Sequence, residues 1–173
     1  MMYSVNDTVL YGGLGLCRIM EVSEKNLRGK TLEYYVLKPL SDEKSTIFVP
    51  VNNETATANL RPVLSMEEIQ DLIRTMPDET SIWIDDEAVR RGEYQKILET
   101  GDRKELIRLI KTLYLRRKSQ KEKGKELHLT DRRFLREAEK MLHEEFAHVL
   151  NLRLEEVVPF ILEQVQVEDK KEA

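Results

Sequence analysis

The chain of 173 residues is 40% hydrophobic and 35% charged, which suits a protein that buries a core in water, and no run approaches the roughly 20 apolar residues of a membrane span. A single cysteine, Cys17, excludes an internal disulfide framework, and the opening MMYSVNDTVL lacks the basic-then-apolar order of a signal peptide, so a reducing, cytoplasmic setting is expected. The net charge of -4 hides a division along the chain: 14 basic against 6 acidic residues at 103–140, 4 against 11 at 65–102, 3 against 8 at 141–173, and 7 against 7 at 1–64.

From residue 5 to residue 63 short runs of β-branched and aromatic residues, DTVLY, LCRIMEV, LEYYVLKPL and STIFVPV, predict strands. GGLG, NLRGK, LSDEK and NNET between them suit tight turns, so sequential antiparallel hairpins are the expected topology, about five strands in a small curled sheet or partly open barrel. Cys17, inside GLCRI, is expected as a buried structural residue.

After Leu64 the apolar period changes from two to about 3.6. Ser65 and Glu68 form a capping box ahead of a helix over 66–76 that Pro77 stops. A second helix is expected over 86–99, ending near Gly101. Asp102 and Glu105 cap a third, whose Leu106, Leu109, Ile110 and Leu113 share one face up to about Ser119. KEKGKEL is a charged turn. Thr130 or Asp131 caps a long helix that buries Phe134, Leu135, Ala138, Met141, Leu142, Phe146 and Val149, and residues 154–165 form a last short one. The fold class is therefore α+β: an antiparallel sheet domain at 1–64, an all-α domain at 65–165, and a charged, disordered tail at 166–173.

HEEFAH at 143–148 invites comparison with a zinc-protease helix, but its histidines are five apart where that chemistry needs four. Five steps of about 100° turn His148 about 140° away from His143, so one metal cannot reach both. The glycines of YGGLGL lead into a strand, where phosphate binding needs a helix start. No nucleophile has a base at motif spacing, so no enzyme activity is expected, and the histidine spacing and single cysteine give no reason to expect a metal. The basic segment is more informative. Arg116, Arg117, Lys118, Lys121, Lys123 and Lys125 close one helix, and Arg132, Arg133 and Arg136 open the next, a cluster able to neutralise several phosphates. A solvated helical surface is the plain alternative.

In order along residues 3–150, YSVNDTVLYGGLGLCRIMEV, RGKTLEYYVLKPL, IFVPVNN, LRPVLS, Trp83, YQKILETGDRKELIRLIKTLY and LTDRRFLREAEKMLHEEFA resemble the CarD family of bacterial transcription regulators. The resemblance implies a Tudor-like N-terminal domain, shared with transcription-repair coupling factors, that binds the RNA polymerase β subunit through a strand edge, and a helical domain that touches promoter DNA. The resemblance implies no catalysis and no cofactor. The implied polymerase contacts are Lys25, Arg28, Ile47 and Phe48. Phe48 stands where members often carry arginine, and it is either an apolar contact or a core-facing strand residue. The implied DNA contacts are Trp83, a minor-groove wedge, with Arg90, Arg91, Arg132, Arg133 and Arg136 on phosphates. An acidic spacer at 84–89 separates Trp83 from Arg90, so Trp83 is either the wedge or packed between domains, and the acids weaken DNA affinity alone. The expected function is stabilisation of the open promoter complex by a polymerase-bound, nucleoid-associated protein without sequence-specific readout. The alternative is a polymerase-associated adaptor whose helices bind protein only.

Overall fold

The computed structural model describes residues 3–172, the side chains of residue 27 and of 166–172 excepted. The chain divides into a sheet unit through Val63 and a helical unit from Leu64. The span 166–173 expected as a tail is helical backbone as far as residue 172, and residue 173 lies outside the described residues.

The sheet unit is antiparallel, with strands β1 (Thr8–Tyr11), β2 (Leu16–Leu27), β3 (Lys30–Pro39), β4 (Ile47–Pro50) and β5 (Leu60–Pro62) in the order β4-β3-β2-β1-β5. Consecutive hairpins join β1 to β4, as the turn residues predict. The fifth strand departs from that pattern: a single helical turn α1 (Glu54–Thr57), capped by the Asn53 side chain, redirects the chain so that β5 pairs with β1 at the opposite edge. Alternation sets the faces. Val9, Cys17, Ile19, Tyr35, Leu37, Val49 and Leu60 form one buried cluster, while Phe48, the neighbour of Val49, turns outward. Burial pushes the Cys17 thiol up to about 11, which leaves it protonated and inert at neutral pH.

Two turns depend on unusual backbone. The β2–β3 hairpin closes through Arg28 and Gly29, both at positive φ (54° and 80°), as a two-residue turn of the primed kind requires. Gly15, entering β2, has φ 78° and ψ -144°, a region open in practice to glycine alone.

The helical unit comprises α2 (Met66–Thr75), α3 (Glu87–Thr100), α4 (Arg103–Glu122), α5 (Leu129–Leu150) and α6 (Val157–Glu172). Local chemistry starts three of them. Ser65 and Glu68 make a reciprocal capping box, Asp86 accepts from the Val89 amide, and Asp102 accepts from the Glu105 amide. Gly101 stops α3 in the left-handed region (φ 66°). Pro77 lies in a 3₁₀ turn just after α2. α5 differs from expectation: it starts at Leu129 with His128 as an N-cap that makes no side-chain bond, and neither Thr130 nor Asp131 caps it. Its apolar stripe serves two clusters. Phe134, Leu135 and Ala138 pack with Tyr94, Leu106, Leu109, Leu113 and Leu127, whereas Leu142 and Phe146 pack with Leu64, Ile69, Ile73, Ile107 and Val157. Among the described residues no helix is long and apolar enough to cross a membrane.

Replacing Gly15 by alanine tests the backbone term in isolation, because a Cβ added there meets nothing within 4 Å. Gly15→Ala is expected to lower stability by about 1–3 kcal/mol in urea unfolding, with the loss confined to the sheet unit.

Candidate functional site

Two carboxylates inside the apolar stripe of α5 organise the helical unit. Asp131 and Glu145 are each 2% exposed, and their separation of fourteen residues is close to four helical turns, which places both on one face about 21 Å apart. Arg90, from the first turn of α3, meets Asp131 in a two-point pair, Nε to Oδ1 at 3.0 Å and Nη2 to Oδ2 at 3.1 Å. Arg103, at the start of α4, meets Glu145 in the same manner at 2.8 and 2.6 Å, and Glu145 also accepts the Leu64 amide at 2.9 Å. Each charge is thus removed from water only with a fork-shaped partner that matches it.

The segment between α2 and α3 carries Trp83 and has no regular ladder, so side chains from α3 and α4 supply its hydrogen bonds. The Lys111 ammonium donates to the carbonyls of Met76, Pro77 and Glu79. Arg108 Nε holds the Glu79 carboxylate at 2.8 Å. Thr112 Oγ1 accepts the Ile82 amide at 2.9 Å, and the Tyr94 hydroxyl donates to the Ile82 carbonyl at 3.0 Å. Burial pushes the Tyr94 phenol up to about 12, so it remains a donor throughout the physiological range. Arg90 Nη1 donates to the Ile84 carbonyl at 3.0 Å, which makes one guanidinium join α3, α5 and the segment.

Trp83 is half-buried against the cluster around Tyr94 and Leu113. Its indole N–H donates to Asp85 Oδ1 at 2.9 Å, and the guanidinium carbons of Arg90 and Arg116 lie 4.4 and 4.3 Å from its ring centroid. Such contacts fix the orientation of an indole as well as stabilising it. Beside the ring, Asp85, Glu87, Arg116, Gln120 and His128 help to line a polar cleft of about 180 Å³.

The expected DNA contacts separate into two groups. Arg90 is corrected: at 4% exposure, paired with Asp131, it presents no surface to a phosphate and acts on Trp83 from within. Arg91 is exposed and 3.9 Å from Glu87. Arg132, Arg133 and Arg136 are exposed on the first turns of α5, with Arg132 3.6 Å from the exposed Glu126. Arg117, Lys118, Lys121, Lys123 and Lys125 are exposed along the end of α4 and the turn after it. The acidic spacer has internal tasks. Asp85 holds the indole and Asp86 caps α3, so neither carboxylate is merely a repulsive surface charge.

The sequence marked Arg116 as one cation of the basic cluster and Asp131 as a candidate helix cap, but not the inward roles of Arg116, Asp131 and Glu145. A signal existed: Arg116 continues the Leu106, Leu109, Leu113 stripe of α4, and the two acids fall at apolar-period positions of α5. A charge in register with a buried face needs a partner. The histidines of HEEFAH diverge along an unbroken α5. Burial lowers the His143 pKa, His148 is exposed, and Glu145 is taken by Arg103.

In the sheet unit β4 is an edge strand. Phe48 is 47% exposed and lies beneath the Lys25 ammonium, 4.0 Å from its ring centroid, so the core-facing alternative for Phe48 is excluded. Ile47 is partly buried, and Arg28 is exposed at the tip of the β2–β3 hairpin.

Two family models match the chain: the CarD-like/TRCF RID domain over residues 3–64 and the CarD C-terminal domain over residues 71–161. The first covers the five-stranded sheet, which is Tudor-like, and the second covers most of the helical unit. Comparison with curated proteins returns no match.

Asp131→Ala leaves the Arg90 charge buried without its partner and is expected to cost about 3–5 kcal/mol. The double substitution Arg90→Met with Asp131→Leu removes both charges and is expected to recover most of that loss. Urea unfolding followed through Trp83, the single tryptophan, reads both the stability and the loss of the ring's guanidinium neighbour.

Proposed function

Because the chain belongs to the CarD family, we propose that it is an RNA polymerase-interacting transcription factor whose sheet docks on the polymerase β subunit and whose helices contact promoter DNA, stabilising the open complex. The observation that carries this reading is the pair of family matches in the order sheet then helices, one on each unit.

On the sheet, β4 offers an unpaired edge to a polymerase strand, main-chain bonds supplying affinity and outward side chains specificity. Phe48 brings an apolar contact, and Lys25 above its ring adds a charge to the same spot. Arg28 and Ile47 flank them.

On the helices, Arg132, Arg133 and Arg136 neutralise phosphates, with Arg91 as a further contact. Trp83 meets the minor groove at the upstream edge of the melted region, and Arg90 and Arg116 against its ring restrict how it turns. A wedge fixed before binding loses less freedom on binding than a mobile one. Few phosphate contacts give weak affinity, so the polymerase contact is needed to raise the local concentration of DNA. The proposed setting is the bacterial cytoplasm.

Purified polymerase β fragment is expected to retain the full chain at low salt, and Phe48→Ala with Lys25→Glu to reduce that retention. Retention of no polymerase subunit would overturn the docking reading. Arg132→Ala with Arg133→Ala is expected to weaken binding of fork-junction DNA and to reduce the slope of log affinity on log salt by about 2. Unchanged DNA binding would move the helices to the role of a protein adaptor.

A further inference from the structure

The sheet unit carries a pair of cations in an arrangement that strand pairing disfavours. Arg18 of β2 and Lys38 of β3 are direct register partners, so both side chains leave the same face of the sheet. Like charges so placed destabilise a sheet. Among the described residues neither takes part in an ion pair. The register also shifts between Ile19 and Glu21, a bulge that leaves Met20 as the extra residue, 43% exposed. Leu40, just past the end of β3, is 38% exposed. Arg18, Met20, Lys38, Pro39, Leu40 and Glu43 line a depression of about 360 Å³.

We propose that this depression is a docking site for an acidic peptide segment of a protein partner, with a carboxylate between Arg18 and Lys38 and aliphatic side chains against Met20 on one side of the pair and Leu40 on the other. Charge complementarity selects the occupant. Two cations without an ion pair face one carboxylate at the rim, Glu43, which leaves a local excess of positive charge that a single acidic side chain neutralises. A polyanion such as DNA fits less well, because the apolar side chains of Met20 and Leu40 flank the cation pair along the strands and Glu43 repels a second phosphate. A repulsive pair retained on an exposed face, beside apolar side chains, is the mark of a surface shaped for binding at the expense of stability. The site is separate from Lys25, whose register partner Leu32 lies six residues, about 20 Å, along β3 from Lys38. It does not rest on the polymerase reading.

The same geometry yields an unusual signature. Arg18→Glu converts repulsion into attraction across the strands, so it is expected to raise Tm by about 1–5 °C while removing the site. The test is a titration of the isotope-labelled full chain, followed by its backbone amide signals, with a synthetic peptide of alternating glutamate and leucine. A lysine–leucine peptide and a duplex oligonucleotide serve as comparisons. The glutamate–leucine peptide is expected to shift residues 18–20 and 38–43, the lysine–leucine peptide to leave them in place, and Arg18→Glu or Lys38→Glu to weaken the interaction roughly tenfold. The proposal is overturned by an absence of shifts, by shifts confined to residues 116–136, by a stronger response of residues 18–43 to the oligonucleotide, by a fall in Tm in Arg18→Glu, or by unchanged affinity in both variants.

Discussion

The helical unit depends on α5 carrying two carboxylates in its buried stripe. Taking a carboxylate and a guanidinium out of water carries a desolvation penalty that their mutual attraction only roughly offsets, so neither pair is a large net source of stability. Their effect lies in what they forbid. A rotation or slip of α5 by one residue would strand Asp131 or Glu145 without its arginine, and an orphaned buried charge costs several kcal/mol, more than a slightly different apolar packing would recover. Hydrophobic contact brings α3, α4 and α5 together without fixing their register. The pairs Arg90–Asp131 and Arg103–Glu145 fix it at the two ends of the stripe.

That register is what places Trp83. The segment bearing it has no ladder of its own and is held at Ile82 by Tyr94 of α3 and Thr112 of α4, at Glu79 by Arg108 and Lys111, and at Ile84 by Arg90. Each of these anchors sits on α3 or α4, whose positions follow from the pairs on α5. Arg90 thus acts twice, as the counter-charge of Asp131 and as a neighbour of the indole. The surface charge follows from the same arrangement. Sequence proximity suggests that acids at 85–87 shield the tryptophan from an anion. In the folded unit Asp85 and Asp86 are engaged on indole and backbone amide, and the exposed cations stand on the end of α4 and the start of α5.

Much of this was legible where the chemistry is local. The capping box at Ser65, the cap at Asp102, the stop at Gly101 and the buried stripe of α5 each depend on residues within a few positions of one another, and each is where the local sequence pattern places it. What escaped was decided at long range. Asp131 has the residue type and position of an N-cap, but Arg90, 41 residues away, draws it inward and leaves His128 to start the helix. Arg90 looks like a surface cation beside Arg91 because nothing in EAVRRGEY distinguishes them except helical phase, and the phase turns one arginine in and the other out. The fifth strand crosses to β1 because the turn at Asn53 redirects the chain, and short strands pair wherever an edge is free. Phe48 remained ambiguous because an edge strand of four residues carries too little alternation to fix its face.

The two units express one strategy at different scales. In the helices, unfavourable groups are buried in matched pairs, so their charge is satisfied internally and constrains geometry. On the sheet, Arg18 and Lys38 stand opposite each other at the surface with no ion pair among the described residues, and Lys25 sits over the exposed ring of Phe48. A buried arginine that lost its carboxylate would unsettle the unit, whereas an exposed cation facing another cation exacts only a modest penalty that an incoming anion can remove. Interaction free energy is therefore left available on the sheet and closed off inside the helices. On the proposed function the two arrangements complement each other: the helical unit holds Trp83 in one orientation, and the sheet keeps exposed cations that an anionic partner can satisfy.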